Sequence, residues 1–392
     1  MRRAPLLLFV LACGKSSPAT PPGKPAEAKI DAAPPPKPVP DVKAYAQAIA
    51  DFHACPADPP CVDGAVERAL AIWPESPAMN LLKGRRLANV ADAVPFAKRA
   101  LEAADRDDRI RALELTAEAL EKTGDRDGAV AAYVERLGLR SDYKMLKHVE
   151  ELTGKPLPLQ RAGASAFRLG GPFPSLDFYC QALAAENPSQ YGGTHCVPRC
   201  SGVDEGPAKA SGGGWNVELL ATIREDDAFS GTPVSCDLAI GNASGWYVLR
   251  EAASCAPCGH EPFPATTPLE QIVADPKLKG RGNYDNAPRH DAAVSEELTF
   301  RDVVPGGALE LVWQMRSRSI WVGAYDEDHN DITRDDTRVA VVCGLGASGR
   351  WSCMPPVTTS SDEEMVVLGR NAPKPERKTS QTPLKLEGLT FP

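Results

Sequence analysis

The 392-residue sequence lacks three features that would each point to a well-known class of function. Beyond the N-terminus, no segment approaches the ~18 apolar residues of a transmembrane helix. Positive charge is in deficit, with 44 Lys and Arg against 52 Asp and Glu, which disfavours nucleic acid and anionic headgroups as partners. The catalytic patterns Gly-x-Ser-x-Gly and His-Glu-x-x-His and the phosphate-binding lysine motif do not occur. The sequence therefore favours a non-catalytic protein, although the catalytic groups of an enzyme can be scattered along a chain.

The N-terminus carries the pattern of an export signal. Arg2 and Arg3 precede a short apolar run that cannot span a bilayer as a stable helix. The run ends in Val-Leu-Ala-Cys-Gly at positions 10–14, which resembles the lipobox of bacterial lipoproteins. That resemblance implies that residues 1–12 are a signal peptide and that Cys13 is acylated and becomes the first mature residue. The alternatives are a conventional signal cleaved nearby, with loss of Cys13, and a buried helix.

Residues 13–43 are rich in Pro, Ala and Lys and have no apolar period, so they are predicted to form an extended, semi-rigid linker. Such a linker would hold a folded region away from the membrane. Removal of residues 1–12 leaves 42 Lys and Arg against 52 Asp and Glu, a formal charge of −10. The sequence therefore predicts a membrane-anchored lipoprotein of the cell envelope that faces the periplasm or the cell exterior and does not bind nucleic acid.

Residues 44–161 have a helical period. Apolar and small residues recur at intervals of three and four on both sides of Gly124-Asp125, which predicts two helices joined by a tight turn. The pair resembles a tetratricopeptide-type (TPR-like) hairpin, in which small residues such as Ala117 and Ala129 let the helices approach. Two earlier segments, 66–77 and 97–108, look like the ends of similar units. The matching positions Glu67, Lys98 and Val134 are spaced by 31 and 36 residues, whereas a regular array keeps a period of about 34. The alternative to degenerate repeats is an ordinary helical bundle.

Residues 163–370 change to a period of two. The segments 215–224, 234–240 and 309–315 alternate apolar and polar residues, as half-buried strands do. Further strands are predicted at GWYVLR, EELTFRDV, SIWVGAY, RVAVVC and EMVVLG, each bounded by turn-forming residues. Short strands with little helix predict an antiparallel β-sandwich or barrel. Residues 371–392 are predicted to form a flexible tail.

Cysteine usage fits an oxidising compartment. After Cys13, ten of the eleven cysteines remain, an even number that favours five disulfides. Local spacing pairs Cys55 with Cys61 across a proline-rich loop and Cys343 with Cys353 across a hairpin. Spacing leaves open the partners of Cys180, Cys196, Cys200, Cys236, Cys255 and Cys258. The predicted architecture is therefore TPR-like helical hairpins followed by a disulfide-rich antiparallel β-sandwich or barrel.

The segment SCAPCGH at 254–260 has a Cys-x-x-Cys spacing that several kinds of site share. Haem attachment needs a histidine directly after the second cysteine, where Gly259 stands. A thioredoxin-like redox site needs a following helix, but prolines interrupt the downstream sequence. Together with HCVPRC at 195–200, this segment contains enough ligands for a tetrahedral zinc site, which is the alternative to disulfides. The candidate zinc ligands are His195, Cys196, Cys200, Cys255, Cys258 and His260.

Two further patterns match a ligand motif in part. Three glycines at 344, 346 and 349 have the spacing of a dinucleotide-binding loop, but a second short strand follows instead of a helix, so a hairpin turn is predicted. Asp326, Asp328 and Asn330 alternate as at the start of a calcium loop, although the glycine and glutamate of an EF-hand are missing. The alternatives there are a calcium site in a β-domain loop and a solvated connection. Beyond these zinc and calcium candidates, no cofactor is predicted.

These patterns favour a lipid-anchored, non-catalytic binding or scaffold protein whose partner is a protein or a glycan. The resemblance to tetratricopeptide repeats implies that the helical region presents a concave surface to that partner. The alternative function is an envelope hydrolase or a metal-dependent enzyme with its site in the β-domain loops.

Overall fold

Helices come first along the chain and antiparallel strands follow, as the sequence predicts. The computed structural model describes residues 39–56, 58–157, 166–186, 194–198, 209–224, 235–253, 291–303, 308–324, 330–368, 374, 376–385, 389 and 391. All of these residues belong to one unit, Val39–Pro392. No helix in these ranges is long and apolar enough to cross a membrane.

The helices within the described ranges are, in chain order, α1 (Val42–Ala54), α2 (Pro59–Ile72), α3 (Pro77–Arg86), a 3-10 helix (Val90–Ala93), α4 (Val94–Ala100), α5 (Arg106–Thr123), α6 (Arg126–Leu139), α7 (Tyr143–Thr153) and α8 (Leu176–Glu186). The strands are β1 (Phe167–Arg168), β2 (Gly170–Phe173), β3 (Thr194–Pro198), β4 (Lys209–Gly212), β5 (Trp215–Arg224), β6 (Ser235–Asn242), β7 (Gly245–Ala253), β8 (Asp291–Arg301), β9 (Glu310–Ala324), β10 (Asn330–Leu345), β11 (Trp351–Cys353), β12 (Val357–Leu368) and β13 (Glu376–Gln381).

The helical hairpin predicted around Gly124-Asp125 is confirmed as α5 and α6. Asp105 caps α5 by accepting hydrogen bonds from two backbone N–H groups of the first turn, each at 2.9 Å. Gly124 ends α5 in the left-handed conformation, with φ of 83°, and Asp125 caps α6. The apolar residues that carried the helical period pack in one buried cluster: Leu113, Ala117, Ala129, Tyr133 and Leu137.

The first helices and one of the sheets share a second hydrophobic core. The Trp73 ring lies 5.2 Å from the ring of Tyr45 on α1 and 4.8 Å from the ring of Phe178 on α8, edge to face in both cases. The sheet residues in the same cluster all lie on β2, β5, β6 and β7, which belong to one sheet: Phe173, Leu220, Ala239 and Val248. The sequence does not predict α8, which lies inside the β region and buries its apolar side against α1 and the sheet.

The strands form two antiparallel sheets. In the first sheet β10 is central: it pairs with β9, β12 and β11, while β8 extends the sheet beyond β9, β13 beyond β12, and β1 beyond β11. The second sheet has the order β2-β7-β6-β5-β3, with β4 also paired to β5. Side chains from both sheets meet in one buried cluster. Its members from the second sheet are Val217, Leu219, Leu238 and Ile240, and those from the first are Leu311, Trp313, Val341, Cys343, Trp351 and Cys353.

Three predictions differ from the observed strands. The segments LELVWQM and SIWVGAY, predicted as separate strands, belong to one 15-residue strand, β9. The acidic segment that follows the calcium candidates was predicted as a loop, but from Asn330 onward it is the strand β10. Cross-strand ion pairs such as Asp336 with Arg316 compensate the negative charges of this strand. The flexible tail predicted from residue 371 contains β13, which pairs with β12 and leaves all six of its residues exposed.

Candidate functional site

The turn between α4 and α5, residues 101–105, is the place where the helical region meets the sheets; we call it the junction turn. The Glu102 carbonyl accepts a hydrogen bond from the Gly171 N–H at 2.9 Å, and the Ala104 carbonyl accepts one from the Arg250 N–H at 3.2 Å. Because Gly171 lies on β2 and Arg250 on β7, backbone hydrogen bonds join the junction turn directly to the second sheet.

Ion pairs extend this junction to the first sheet. Arg350, in the turn between β10 and β11, donates to the Glu102 carboxylate at 2.9 Å and to the Gly171 carbonyl at 2.6 Å. Burial raises the pKa of Glu102 in spite of the nearby arginines, and it lowers the pKa of Arg168, which lies 3.9 Å from the same carboxylate. Both shifts have the same main cause, the poor solvation of charged groups at this junction.

Arg109 secures the same junction from α5. Its side chain is 2% exposed and donates hydrogen bonds to the Leu101 and Arg168 carbonyls at 3.1 and 3.3 Å and to the Glu135 carboxylate at 2.7 Å. The guanidinium also lies 5.6 Å from the centre of the Phe167 ring. Arg109 therefore links α5, α6 and β1 through a buried cation whose hydrogen bonds are all charge-assisted.

Beside the junction turn lies a cleft with a volume of about 50 Å³, enough for a few water molecules and too small for a drug-sized ligand. We call it the junction cleft. Its walls include the aromatic rings of Trp73, Phe173 and Tyr179, and its polar lining residues are Asp105, Asp108, Glu186 and Arg250. Carboxylates therefore dominate the polar part of the cleft.

Glu186 is the carboxyl group of the junction cleft with the most altered acidity. It ends α8 and accepts a hydrogen bond from the Tyr45 hydroxyl, which lies 2.8 Å from the Ser76 Oγ. Burial, assisted by the charge of Asp108, raises the pKa of Glu186 to about 7, although the Tyr45 hydrogen bond and the Arg250 charge oppose the shift. At neutral pH this carboxyl group is consequently close to half protonated.

The remaining polar residues of the junction cleft have hydrogen-bond partners within the cleft or next to it. Arg250 donates to Asp105 at 3.2 Å, and the buried Tyr179 hydroxyl donates to Asp237 at 2.8 Å. Burial also raises the pKa of Asp108, with Asp105 adding to the effect. The lining residues include no cysteine or histidine, and the buried Ser76 hydroxyl beside the cleft is a hydrogen-bond partner of Glu186 and Tyr45. The cleft can hold a proton, and its hydrogen bonds fix α8 against the helical region.

A second polar group lies on the outside of the helical region. His148 Nε2 on α7 is 2.9 Å from the Glu121 carboxylate, which also accepts a hydrogen bond from the Tyr133 hydroxyl at 3.2 Å. The His148 and Tyr133 rings meet edge to face. An open groove passes this group, with Arg126 and Leu152 among its other lining residues. It is an open concave surface on α5, α6 and α7.

Both disulfides predicted from local spacing are confirmed. Cys55 is bonded to Cys61 between α1 and α2, and Cys343 to Cys353 between β10 and β11. Cys180 on α8 is also disulfide-bonded, to a cysteine whose side chain is outside the described part of the structure. The three glycines beginning at 344 belong to the predicted hairpin, which the Gly346 N–H closes on the Arg350 carbonyl at 2.8 Å.

The other predicted site residues cannot be placed together. His195 and Cys196 lie on β3 and Cys236 on β6, strands whose side chains there are not described. Asn330 is the first residue of β10, and its side chain is likewise not described. The predicted positions that lie outside the described residues are Cys13, Cys200, Cys255, Cys258, His260, Asp326 and Asp328. Within the described ranges, no group of three or more His, Cys, Asp or Glu side chains could hold a metal ion.

Sequence reasoning missed every polar residue of the junction cleft. These residues come from three separate parts of the chain, the start of α5, the end of α8 and β7, so no local spacing connects all of them. The helical cap at Asp105 was the one available signal, and it indicates only where α5 begins. The sequence matches no family model, and comparison with curated proteins and with solved structures finds no similar chain.

Proposed function

We propose that this chain is a lipid-anchored protein of the cell envelope that acts as a non-catalytic binding or scaffold module for a protein or a glycan. The observation that carries the proposal is the junction turn, which bonds the helical region to both sheets through Glu102. A module built in this way keeps a fixed geometry between its helical and sheet surfaces, as a scaffold requires. The lipobox-like segment around Cys13 supports the anchor.

The helical surface is the proposed docking face. In this interpretation α5 and α6 form a TPR-like hairpin, and the open groove beside His148 and Glu121 receives the partner. The two sheets form a β-sandwich around their common buried cluster and act as the rigid body that presents the helices. The cell-envelope location, facing the periplasm or the exterior, follows from the proposed lipid on Cys13.

An enzyme is the second candidate, and one observation favours it. Glu186 has a pKa of about 7, the range in which a carboxyl group serves best as a general acid or base at neutral pH. The junction cleft, however, has room for only a few water molecules, and the hydroxyls beside Glu186, those of Tyr45 and Ser76, are buried in hydrogen bonds. The sequence-based version of this candidate is a hydrolase or metal-dependent enzyme that uses loops of the β region. It depends on the zinc and calcium candidates, which either lie outside the described ranges or have side chains that are not described.

The anchor can be tested with Cys13→Ser. Wild-type protein expressed with its own N-terminus should collect in the membrane fraction and pass into the detergent phase on phase separation, because acyl chains on Cys13 carry it there. The Cys13→Ser variant should lose this partition, whereas Ser17→Ala, a change in the adjacent linker, should keep it. Intact-mass measurement of wild type without a lipid, with residues 1–12 still attached, would contradict the anchor.

Thiol and metal content distinguish the binding module from the metal-dependent enzyme. Purified protein denatured without reductant should show no free thiol and no stoichiometric zinc, because cysteines in an oxidising compartment form disulfides before they bind metal. Five cysteines are already in disulfides within the described structure. Near-stoichiometric zinc in the purified protein, together with thiols that become free when a chelator removes the zinc, would instead support the metal-dependent enzyme.

A further inference from the structure

The outer face of the first sheet, the face turned away from the second sheet, carries an apolar strip on β10. Val341 and Cys343 point into the cluster between the sheets, so the alternation of a strand directs Ala340, Val342 and Gly344 to the outer face. Val342 lies directly opposite Val312 on β9. Ala340, Val342 and Val312 are only 1%, 3% and 1% exposed, so this outer strip is covered.

The ring of Phe391, the penultimate residue, lies at the end of this strip. A methyl group on Gly344 would be 2.3 Å from Cδ2 and 2.4 Å from Cε2 of that ring. Gly344 does not have a positive φ, so glycine is needed here for space rather than for backbone conformation. The missing side chain creates a notch into which the ring fits, and we call it the Gly344 notch.

We propose that the Gly344 notch is a docking site for a phenylalanine side chain of an extended peptide, and that Phe391 occupies it within the same chain. The occupant seen in the structure identifies the chemistry: an aromatic ring beside the apolar strip of Val312 and Val342. The fit depends on Gly344, because any larger residue would overlap the ring.

Phe391 is well suited to act as an exchangeable occupant. Its ring remains partly exposed, and Thr382, Pro383 and Lys385 on the way to it are exposed. A group tethered this closely competes at an effective concentration of about millimolar. A free peptide therefore has to displace Phe391 in the wild-type chain, whereas it finds an empty notch once the ring is removed.

The test uses a fluorescent peptide with the sequence of residues 382–392, TPLKLEGLTFP, and measures its binding by anisotropy. The full-length Phe391→Ala variant should bind it at least about tenfold more tightly than wild type, because the tethered competitor is gone. A peptide with alanine in place of its phenylalanine should not bind. The double variant Gly344→Ala, Phe391→Ala should not bind the peptide, because the methyl group at position 344 fills the notch. Since Phe391 is already removed in this variant, the methyl group does not overlap a ring of the same chain.

Three results would overturn the proposal. They are a folded Phe391→Ala chain that does not bind the peptide, binding that survives Gly344→Ala, and equal binding by wild type and Phe391→Ala. A wild-type dimer in light scattering that Phe391→Ala abolishes would assign the notch to a second copy of the chain and would also overturn it. If Phe391→Ala does not fold, Phe391→Leu replaces it: its tethered side chain lacks the aromatic ring, so the peptide should still bind more tightly than to wild type, and equal binding would overturn the proposal.

Discussion

Gly170→Ala should lower the free energy of unfolding by about 3 kcal/mol, the upper part of the range for an overpacked core. A methyl group at this position on β2 would lie 2.4 Å from the Ala104 nitrogen and 2.5 Å from the Ala103 carbonyl carbon. Both are backbone atoms of the junction turn, so no rotamer change can relieve the overlap. Urea unfolding followed by circular dichroism measures the loss, and limited proteolysis should show faster cleavage between the helical region and the sheets.

Gly64→Ala on α2 is the matched control. The nearest atom to its new methyl group is the end of the Arg68 side chain at 3.6 Å, an ordinary contact. Because alanine is a better helix former than glycine, we expect this variant to be more stable than wild type by about 0.5–1 kcal/mol. If Gly170→Ala were as stable as Gly64→Ala, the close approach of the junction turn to β2 would be wrong.

Stability should fall as the pH rises from about 4.5 to about 7, and Glu186 should be a principal cause. Burial raises the pKa of Glu186 from 4.5 to about 7, so the folded chain keeps this proton over a pH range in which the unfolded chain releases it. The stabilisation is complete below the unfolded pKa and is lost as the pH passes through the folded value. With about 1.4 kcal/mol for each pKa unit, the difference between 4.5 and about 7 sets an upper bound of about 3.5 kcal/mol on the loss, and contact with solvent makes the loss smaller for this partly buried group.

Glu186→Gln should remove most of this dependence. The amide has nearly the same shape and remains uncharged, so the variant should be more stable than wild type at pH 8 and similar to it at pH 4.5. The titratable and charged groups around it, Tyr45 on α1, Asp108 on α5 and Arg250 on β7, are retained. Glu118→Gln, which neutralises an exposed carboxylate on α5, should follow the wild-type profile. Parallel stability curves for wild type and Glu186→Gln across pH 4.5–8 would refute the assignment.

An element was predictable where the order of apolar and polar residues in its own segment shows which side of it is buried. The alternation from Trp215 to Arg224 predicts β5 with its observed bounds, because one side of that strand packs between the sheets and the other does not. The α5–α6 hairpin was predictable for a similar reason: its apolar period is interrupted by a glycine that takes the left-handed conformation. The hairpin disulfide of Cys343 and Cys353 followed from the short, glycine-rich connection between them.

Elements stabilised by distant partners were not predictable. Arg316 interrupts the apolar character of β9, and its stabilising contact, Asp336, lies on the next strand. Arg334 on β10 pairs in the same way with Glu364 on β12. The helix α8 buries Phe178, Tyr179, Ala182 and Leu183 on one side, but the apolar Ala184 lies outside that side, which weakens the amphipathic pattern expected of a surface helix. The junction cleft was hidden for the same physical reason, because its residues meet only after α8 docks.

The strand β13 has a consequence for how the molecule behaves at high concentration. It is the last strand on its side of the first sheet among the described strands, and such an open edge can recruit a strand from another molecule. Glu376, Arg377 and Lys378 stand along it in full contact with solvent. A strand of another molecule that paired with this edge would remove water from these charges, which costs free energy. The charges therefore oppose edge-to-edge aggregation although no other element covers the edge.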